Sequence, residues 1–209
     1  AREINPSSPE AWAYLAAIAH LRNQPAGERI AREQALRAWP RNPRVDHIIG
    51  RTLSQKYRFA EGADYQRKAL DLDPRFLSAK AQLANDLLRL GEEEEGWRLI
   101  HEVNARDGYD VEAFNLVTLS DTLKEYRTIA TDEFTIRMTS HEAAVYGPRV
   151  LELLTRARAQ LVPKYGAVLA DPTIIEIFAD QRDFAVRTFG VPDVPGYLGV
   201  CFGRVVTAN

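Results

Sequence analysis

Residues 58–74 read RFAEGADYQRKALDLDP, and this stretch decides the fold of the first half of the chain. Its apolar residues recur every three to four positions, which predicts an amphipathic helix. Gly62 and Ala69 are small residues that let a second helix approach closely, and Tyr65 is an aromatic residue suited to packing between helices. The final proline ends the segment because proline cannot continue a helix. The stretch therefore predicts the second helix of a tightly packed helix pair.

The same pattern recurs along residues 1–131, which are rich in alanine, leucine, arginine and glutamate and lack the alternation typical of strands. Four dipeptides mark equivalent points: Asn5-Pro6, Asn42-Pro43, Asp73-Pro74 and Asp107-Gly108. Their spacings are 37, 31 and 34 residues. An average period of about 34 residues is typical of repeats made of two helices. We therefore predict an α-solenoid over residues 1–131.

With this period and these small residues, the first half resembles tetratricopeptide (TPR) repeat proteins. The resemblance implies about three helix pairs and an extra helix near residues 110–126. The first helices of stacked pairs line a groove that binds a protein or peptide. Helix position places four residues in this groove, where asparagine and basic side chains grip a terminal carboxylate in some TPR domains: Arg51, Asn85, Arg89 and Asn115.

From Asp132 onward the chain changes to short β-rich runs separated by helical segments. The composition predicts a partial small α/β domain over residues 132–209 with the order β-α-β-α-β-β. Cys201 is expected to be a buried small hydrophobe, because no histidine lies near it in the sequence. Glu176 interrupts an apolar strand, and we expect its side chain to lie on the solvent face.

Four segments of this second half together resemble the start of a peptidase MA-like (gluzincin-type) metallopeptidase domain. They are FTIRM at 134–138, LELLTRA at 151–157, IIEIFADQRDF at 174–184 and GVCFGRVVTAN at 199–209. In that family such a domain often follows TPR repeats. The resemblance implies a sheet-edge strand that pairs with extended substrate, formed by Arg204, Val205, Val206, Thr207 and Ala208. An ordinary hairpin strand is an equally good interpretation of this segment.

The family's catalysis uses a His-Glu-x-x-His helix, which supplies two zinc ligands and a glutamate base. His101-Glu102 and His141-Glu142 begin such a motif, but Ala105 and Val145 stand where the second histidine belongs. We therefore expect no catalytic, cofactor or metal residue within the 209 residues, and a fragment that binds partners without catalysis. The alternative is that a full-length parent is an active zinc peptidase whose His-Glu-x-x-His helix follows residue 209. A third hypothesis is a pseudo-enzyme that uses this domain as a scaffold.

The composition limits the remaining functions. The chain has 27 basic and 29 acidic residues and a net charge of −2, which gives no electrostatic signal for nucleic acid or an anionic membrane. No apolar run approaches 18 residues, and the start at Ala1, Arg2 and Glu3 lacks the apolar core of a signal peptide. We expect a soluble protein that is cytoplasmic by default, with export possible if a signal peptide was removed.

Overall fold

The computed structural model describes residues 5–209, so the expectations for Ala1, Arg2 and Glu3 lie outside the described residues. Contacts within the chain divide it into two compact units, Ala1–Asp107 and Gly108–Asn209. Each unit has its own buried apolar core. The predicted domain boundary at residue 131 falls within the second unit.

The first unit is a solenoid of helix pairs, as the sequence predicts. Consecutive helices pack as the pairs α1–α2, α3–α4 and α5–α6, and the first helices of neighbouring pairs also contact each other. Among residues 5–107 the helices are α1 (Pro9–Leu21), α2 (Pro25–Leu36), α3 (Pro43–Ser54), α4 (Phe59–Leu72), α5 (Leu77–Leu90) and α6 (Glu93–Arg106).

Local sequence fixes where these helices begin and end. The Asn42 side chain accepts a hydrogen bond from the Arg44 amide at 3.1 Å, and Pro43 occupies the first turn of α3, where its missing N–H costs nothing. Gly91 ends α5 with φ of +77°, a left-handed conformation that glycine adopts without strain. These signals explain why the helix boundaries follow the repeat marks.

The close packing predicted around Gly62 is confirmed. A Cβ atom added to Gly62 would collide with Ser54 Oγ and lie 3.1 Å from the carbonyl oxygen of Gly50. Ala69 on the same helix is fully buried. Helices α3 and α4 therefore approach each other through small residues, which lets the aromatic ring of Tyr65 pack into the core of the unit.

The second unit is a mixed five-stranded sheet with helices, and its strand order is β1-β2-β3-β5-β4. Strands β2, β3 and β5 are parallel, whereas β1 and β4 pair antiparallel at the two edges. Among residues 108–209 the elements are α7 (Val111–Leu123), β1 (Arg127–Ala130), β2 (Phe134–Met138), α8 (Ser140–Tyr165), β3 (Thr173–Ile177), α9 (Gln181–Phe189), β4 (Gly199–Phe202) and β5 (Val205–Ala208).

Helices cover both faces of this sheet. Ile136, Ile175 and Val206 share one face and pack against apolar residues of α8, among them Leu151. Side chains alternate between faces along a strand, so Thr207 points the other way, and its hydroxyl lies 2.8 Å from that of Thr188 on α9. The parallel strands are consequently buried on both sides, which explains their apolar runs.

Three expectations about the second half need correction. Strand β1 was not predicted, because its four residues are too few to show a period and three of them are exposed. Residues 204–208 do not form a sheet edge, since β5 is hydrogen-bonded to β3 on one side and β4 on the other. Cys201 is exposed, because it lies on edge strand β4 rather than in the core.

Helix α7 differs from the expected terminal helix of the repeats. It contacts α9 and belongs to the second unit. Phe114 near its start is 57% exposed. Across the residues described, the structure contains no helix that is long and apolar enough to cross a membrane.

Candidate functional site

One face of α3 opens into a cavity of about 320 Å³ in the first unit. Arg44, His47, Ile48 and Arg51 are spaced at i, i+3, i+4 and i+7, so they share this face. Helix α1 and the start of α5 supply the other walls, so three successive repeats contribute to one site. We call this cavity the α3 groove; its lining residues are Glu10, Tyr14, Arg44, His47, Ile48, Arg51, Phe76 and Ser78.

The floor of the α3 groove is aromatic. The rings of His47 and Phe76 meet edge to face with centroids 5.4 Å apart. His47 Nδ1 lies 2.9 Å from Oε1 of Gln66, a fully buried side chain that also donates to the His47 carbonyl oxygen at 3.3 Å. The ring is therefore held in one orientation by α4, which packs behind α3.

Burial lowers the pKa of His47 below its usual value, and the positive charges of Arg51 and Arg44 lower it further, against the opposing effect of the Gln66 hydrogen bond. The imidazole is consequently neutral at neutral pH. A neutral ring beside Phe76 and Ile48 gives the groove a floor that accepts an apolar side chain without desolvating a charge.

The rim of the groove is positively charged. Arg44 and Arg51 are exposed and lie seven residues apart on α3, a rise of about 10 Å along the helix axis. Neither guanidinium has an ion-pair partner anywhere in residues 5–209. Among the described residues Glu10 is the one carboxylate in the lining, and it accepts a hydrogen bond from Ser8 Oγ at 3.2 Å. Counted over the described lining residues, two arginines against one carboxylate give the rim a net positive charge at neutral pH.

The structure places the four predicted groove residues in different surroundings. Arg51 lines the α3 groove, whereas Asn85 on α5 donates to the carbonyl oxygen of Ala81 in its own helix at 3.1 Å. The Arg89 guanidinium carbon lies 5.1 Å from the ring centroid of Phe59.

Asn115 lies on α7 in the second unit, where its side-chain amide donates to the carbonyl oxygen of Gly190 at 3.1 Å. Sequence reasoning missed Arg44 and His47, although their spacing of seven and four residues before Arg51 was a usable signal.

The second unit contains a buried charged cluster that the sequence did not predict. Glu176 is fully buried, so the expectation that it faces solvent is wrong. Its two carboxylate oxygens lie 3.2 Å from Arg137 Nη1 and 2.7 Å from Arg187 Nε. The physical reason is that α9 covers this face of the internal strand β3. A carboxylate held between two guanidinium groups in the protein interior is a structural ion cluster rather than an acid or base open to a substrate.

The residues present do not fit a zinc site. Within the described residues no group of three or more histidine, cysteine, aspartate or glutamate side chains is arranged to hold a metal ion. Glu102, beside the exposed His101, pairs with Lys80 Nζ at 2.7 Å. Glu142, beside the exposed His141, accepts from Thr139 Oγ1 at 3.0 Å as part of the cap of α8.

One of the two edges of the sheet is strand β4, which pairs only with β5 among the described strands. No charged residue occurs between Asp193 and Arg204, and Leu198 is 80% exposed. This edge of the sheet is therefore formed by Gly199–Phe202 and not by residues 204–208.

No protein-family model and no curated protein match the chain. Among solved structures the chain is similar to a mutant of the O-GlcNAc transferase of Thermobaculum terrenum, with 15% sequence identity and a TM-score of 0.40. The match covers 86% of this chain and spans 39% of the length of that one.

Proposed function

We propose that the first unit is a protein-binding repeat module and that its ligand is a peptide segment seated in the α3 groove. One observation supports this above others. Three successive repeats supply a single cavity that combines an aromatic floor with two guanidinium groups lacking an ion-pair partner in residues 5–209. Exposed cations around an apolar floor are the elements that hold a peptide by its side chains.

A substitution that fills the groove tests this proposal. Peptides that bind the 209-residue chain are first selected from a displayed random library. Their affinities for the wild-type chain are then compared with their affinities for the variants Ser78→Trp and Gln34→Trp. Both residues are exposed helix positions, and only Ser78 lines the groove. We expect Ser78→Trp to weaken the selected peptides more than tenfold and Gln34→Trp to leave them unchanged. Failure to select any peptide, or equal binding by the two variants, would contradict the proposal.

Asn85 and Arg89 on α5 and Asn115 on α7 remain proposed partner-contact residues. Their present hydrogen bonds and ring contact lie within the chain, so a ligand would have to compete for them. Capture of the selected peptides by a double variant, Asn85→Ala with Asn115→Ala, tests this assignment. Unchanged capture would remove Asn85 and Asn115 from the proposed contacts.

We also infer, from the sequence resemblance, that residues 132–209 of the second unit are the start of a metallopeptidase-like domain that does not itself catalyse. Its parallel strands with an antiparallel strand at the edge support a surface where an extended chain adds to a sheet. The alternative, an active zinc peptidase, concerns a full-length parent. It requires a His-Glu-x-x-His motif in the genomic sequence after the codon for Asn209.

Zinc titration of the 209-residue chain by calorimetry tests the non-catalytic assignment directly. We expect no stoichiometric binding, because no described cluster of side chains provides three ligands. Tight binding of one zinc per chain would contradict it. Absence of the downstream motif would rule out the active peptidase and leave the scaffold hypothesis.

A further inference from the structure

We infer that the α3 groove selects an extended peptide with the internal pattern acidic–x–apolar–x–acidic. This inference rests on the proposed function of the first unit and names the chemistry of its ligand. The inference is based on the order of groups along the groove. A guanidinium group lies at each end of one face of α3, and a neutral aromatic floor lies between them.

Charge complementarity selects the two acidic side chains. The guanidinium groups of Arg44 and Arg51 each offer a planar set of donors that matches a carboxylate. Neither has an ion-pair partner in residues 5–209, so a ligand carboxylate does not have to displace one. Glu10 stands on the α1 side of the groove and repels acidic groups there, which directs the ligand's carboxylates toward α3.

Spacing selects the pattern. In an extended peptide, residues i, i+2 and i+4 point to the same side, and i to i+4 spans about 13 Å. The rise between Arg44 and Arg51 is about 10 Å, and arginine side chains are long enough to absorb the difference. The middle residue of the three then lies over the floor formed by His47 and Phe76.

The floor selects an apolar middle residue. His47 is held by Gln66 and packs edge to face against Phe76, so the floor presents ring carbon and a neutral imidazole. Tyr14 is 45% exposed at the α1 wall and adds a further aromatic surface. A basic residue at this position would be repelled by both arginines, and a small polar residue would bury little area.

The experiment measures fluorescence anisotropy of labelled peptides against the 209-residue chain. The reference peptide contains Asp-Ser-Phe-Ser-Asp between Gly-Ser flanks, with the N-terminus blocked by the label and the C-terminus amidated. Comparison peptides replace both aspartates by asparagine, both aspartates by lysine, or phenylalanine by serine, and one comparison keeps the asparagine pair but has a free C-terminal carboxylate. We expect the reference peptide to bind best, with each replacement costing about fivefold or more.

Protein variants then assign the contacts. Arg44→Gln and Arg51→Gln should each weaken the reference peptide about fivefold and leave the asparagine peptide unchanged. Arg37→Gln is the matched control, because Arg37 is an exposed arginine at the end of α2 outside the groove lining, and it should have no effect. Binding of the reference peptide should also weaken as salt rises.

The outcomes separate this inference from the function on which it rests. If another comparison peptide, or a library peptide that lacks the pattern and is sensitive to Ser78→Trp, binds better than the reference peptide, the module stands and the acidic pattern is overturned. Tighter binding of the peptide with a free C-terminal carboxylate would overturn the internal pattern in the same way. Equal affinity of the reference peptide for the two groove-arginine variants and for the Arg37→Gln control would also overturn it. If no peptide of the panel or the library binds, both proposals fail.

Discussion

Asp86 shows how one residue makes the stability of the first unit depend on pH. Its carboxyl group is fully buried between repeats, where it accepts hydrogen bonds from Ser54 Oγ at 2.8 Å and Gln82 Nε2 at 3.0 Å. Burial raises the pKa of Asp86 to about 7, although these two hydrogen bonds and the charge of Arg89 oppose the shift. Two neutral donors do not fully replace the water that an ionised carboxylate loses.

The direction of the pH effect follows from the difference between the pKa of Asp86 in the folded chain and in the unfolded chain. The unfolded chain releases the Asp86 proton near pH 4, whereas the folded chain releases it near pH 7. Between these values the folded state binds one more proton than the unfolded state. Stability of the first unit therefore falls as pH rises from about 4 to about 7, and this contribution is level above pH 7.

Asp86→Asn should stabilise the first unit at pH 8. Asparagine removes the buried charge and can still accept from Gln82 and donate toward Ser54, whose hydroxyl also bonds the Gly50 carbonyl oxygen. The gain in free energy of unfolding should reach at most about 4 kcal/mol at pH 8 and vanish near pH 4. Urea unfolding of wild type and variant at both pH values measures it.

Asp46→Asn is the matched control for this prediction. Asp46 is also fully buried, but it is paired with Arg32 through two contacts of 2.6 and 2.7 Å. Removing its charge should destabilise the unit at pH 8, because the arginine loses its partner. Destabilisation by Asp86→Asn at pH 8 would show that its carboxylate is well solvated and that the argument is wrong.

At the scale of elements, the repeats are set by how closely their helices approach. Within the second pair, Gly50 on α3 faces Gly62 on α4, and a Cβ atom on Gly50 would lie 2.8 Å from the Gly62 carbonyl oxygen. The buried hydrogen bond from Ser54 to Asp86 passes beside this contact and links α3 to α5. One helix crossing therefore supports both the pair and its junction with the next repeat.

Gly62→Ala should destabilise the protein by about 2 kcal/mol or more, because the added methyl group collides with the buried Ser54 Oγ and lies 3.1 Å from the backbone oxygen of Gly50. Gly27→Ala on α2 is the control. Its added Cβ would lie 3.5 Å from the Ala19 Cβ, an ordinary contact. That variant should be neutral or up to about 1 kcal/mol more stable, because alanine favours helix. The midpoint of thermal unfolding measures both variants. Similar midpoints would contradict the close approach of α3 and α4 at Gly62.

At the scale of the whole molecule, the chain consists of two units with separate cores. The second unit's core lies between its sheet and α8, and the cluster of Arg137, Glu176 and Arg187 lies on the other face of the sheet. The buried Arg187 and the half-buried Arg137 both lie against the Glu176 carboxylate, so removing its charge takes one charged partner from each of them.

Glu176→Gln should therefore destabilise the second unit by about 3 kcal/mol or more. Hydrogen exchange measured by mass spectrometry should rise across residues 134–208 while the helices of residues 9–106 keep wild-type protection. Glu133→Gln, which breaks a more exposed pair with Arg158 Nε at 2.8 Å, should change exchange little. A uniform rise in both units would show that the two cores unfold together.

Much of the fold could be predicted from local pattern. A helix pair leaves its period in the spacing of small and apolar residues, and four of the five strands lie where β-rich runs predict them. Strand β1 could not be predicted from the sequence because it is short and exposed. Its pairing with β2, rather than its own composition, defines it as a strand. The positions of β4 and β5 within the sheet could not be predicted either, because strand order is set by contacts between residues distant in sequence.

The candidate site was predictable only in part. Arg51 was identified because it stands on a first helix of a repeat, and the same rule applied in steps of one helical turn would have found Arg44 and His47. Phe76 was not recoverable in this way, since it precedes α5 and reaches the groove only because successive repeats stack.

The sequence by itself determined the helix-pair period, the small residues at the helix crossings and the β-rich composition of the second half, because these depend on near neighbours in the chain. Only the tertiary structure decided the rest. It placed Glu176 between two arginines, left Cys201 exposed on an edge strand, and put α7 in the second unit. Burial and partnership of a polar group depend on which distant elements pack against it, and that information is not local.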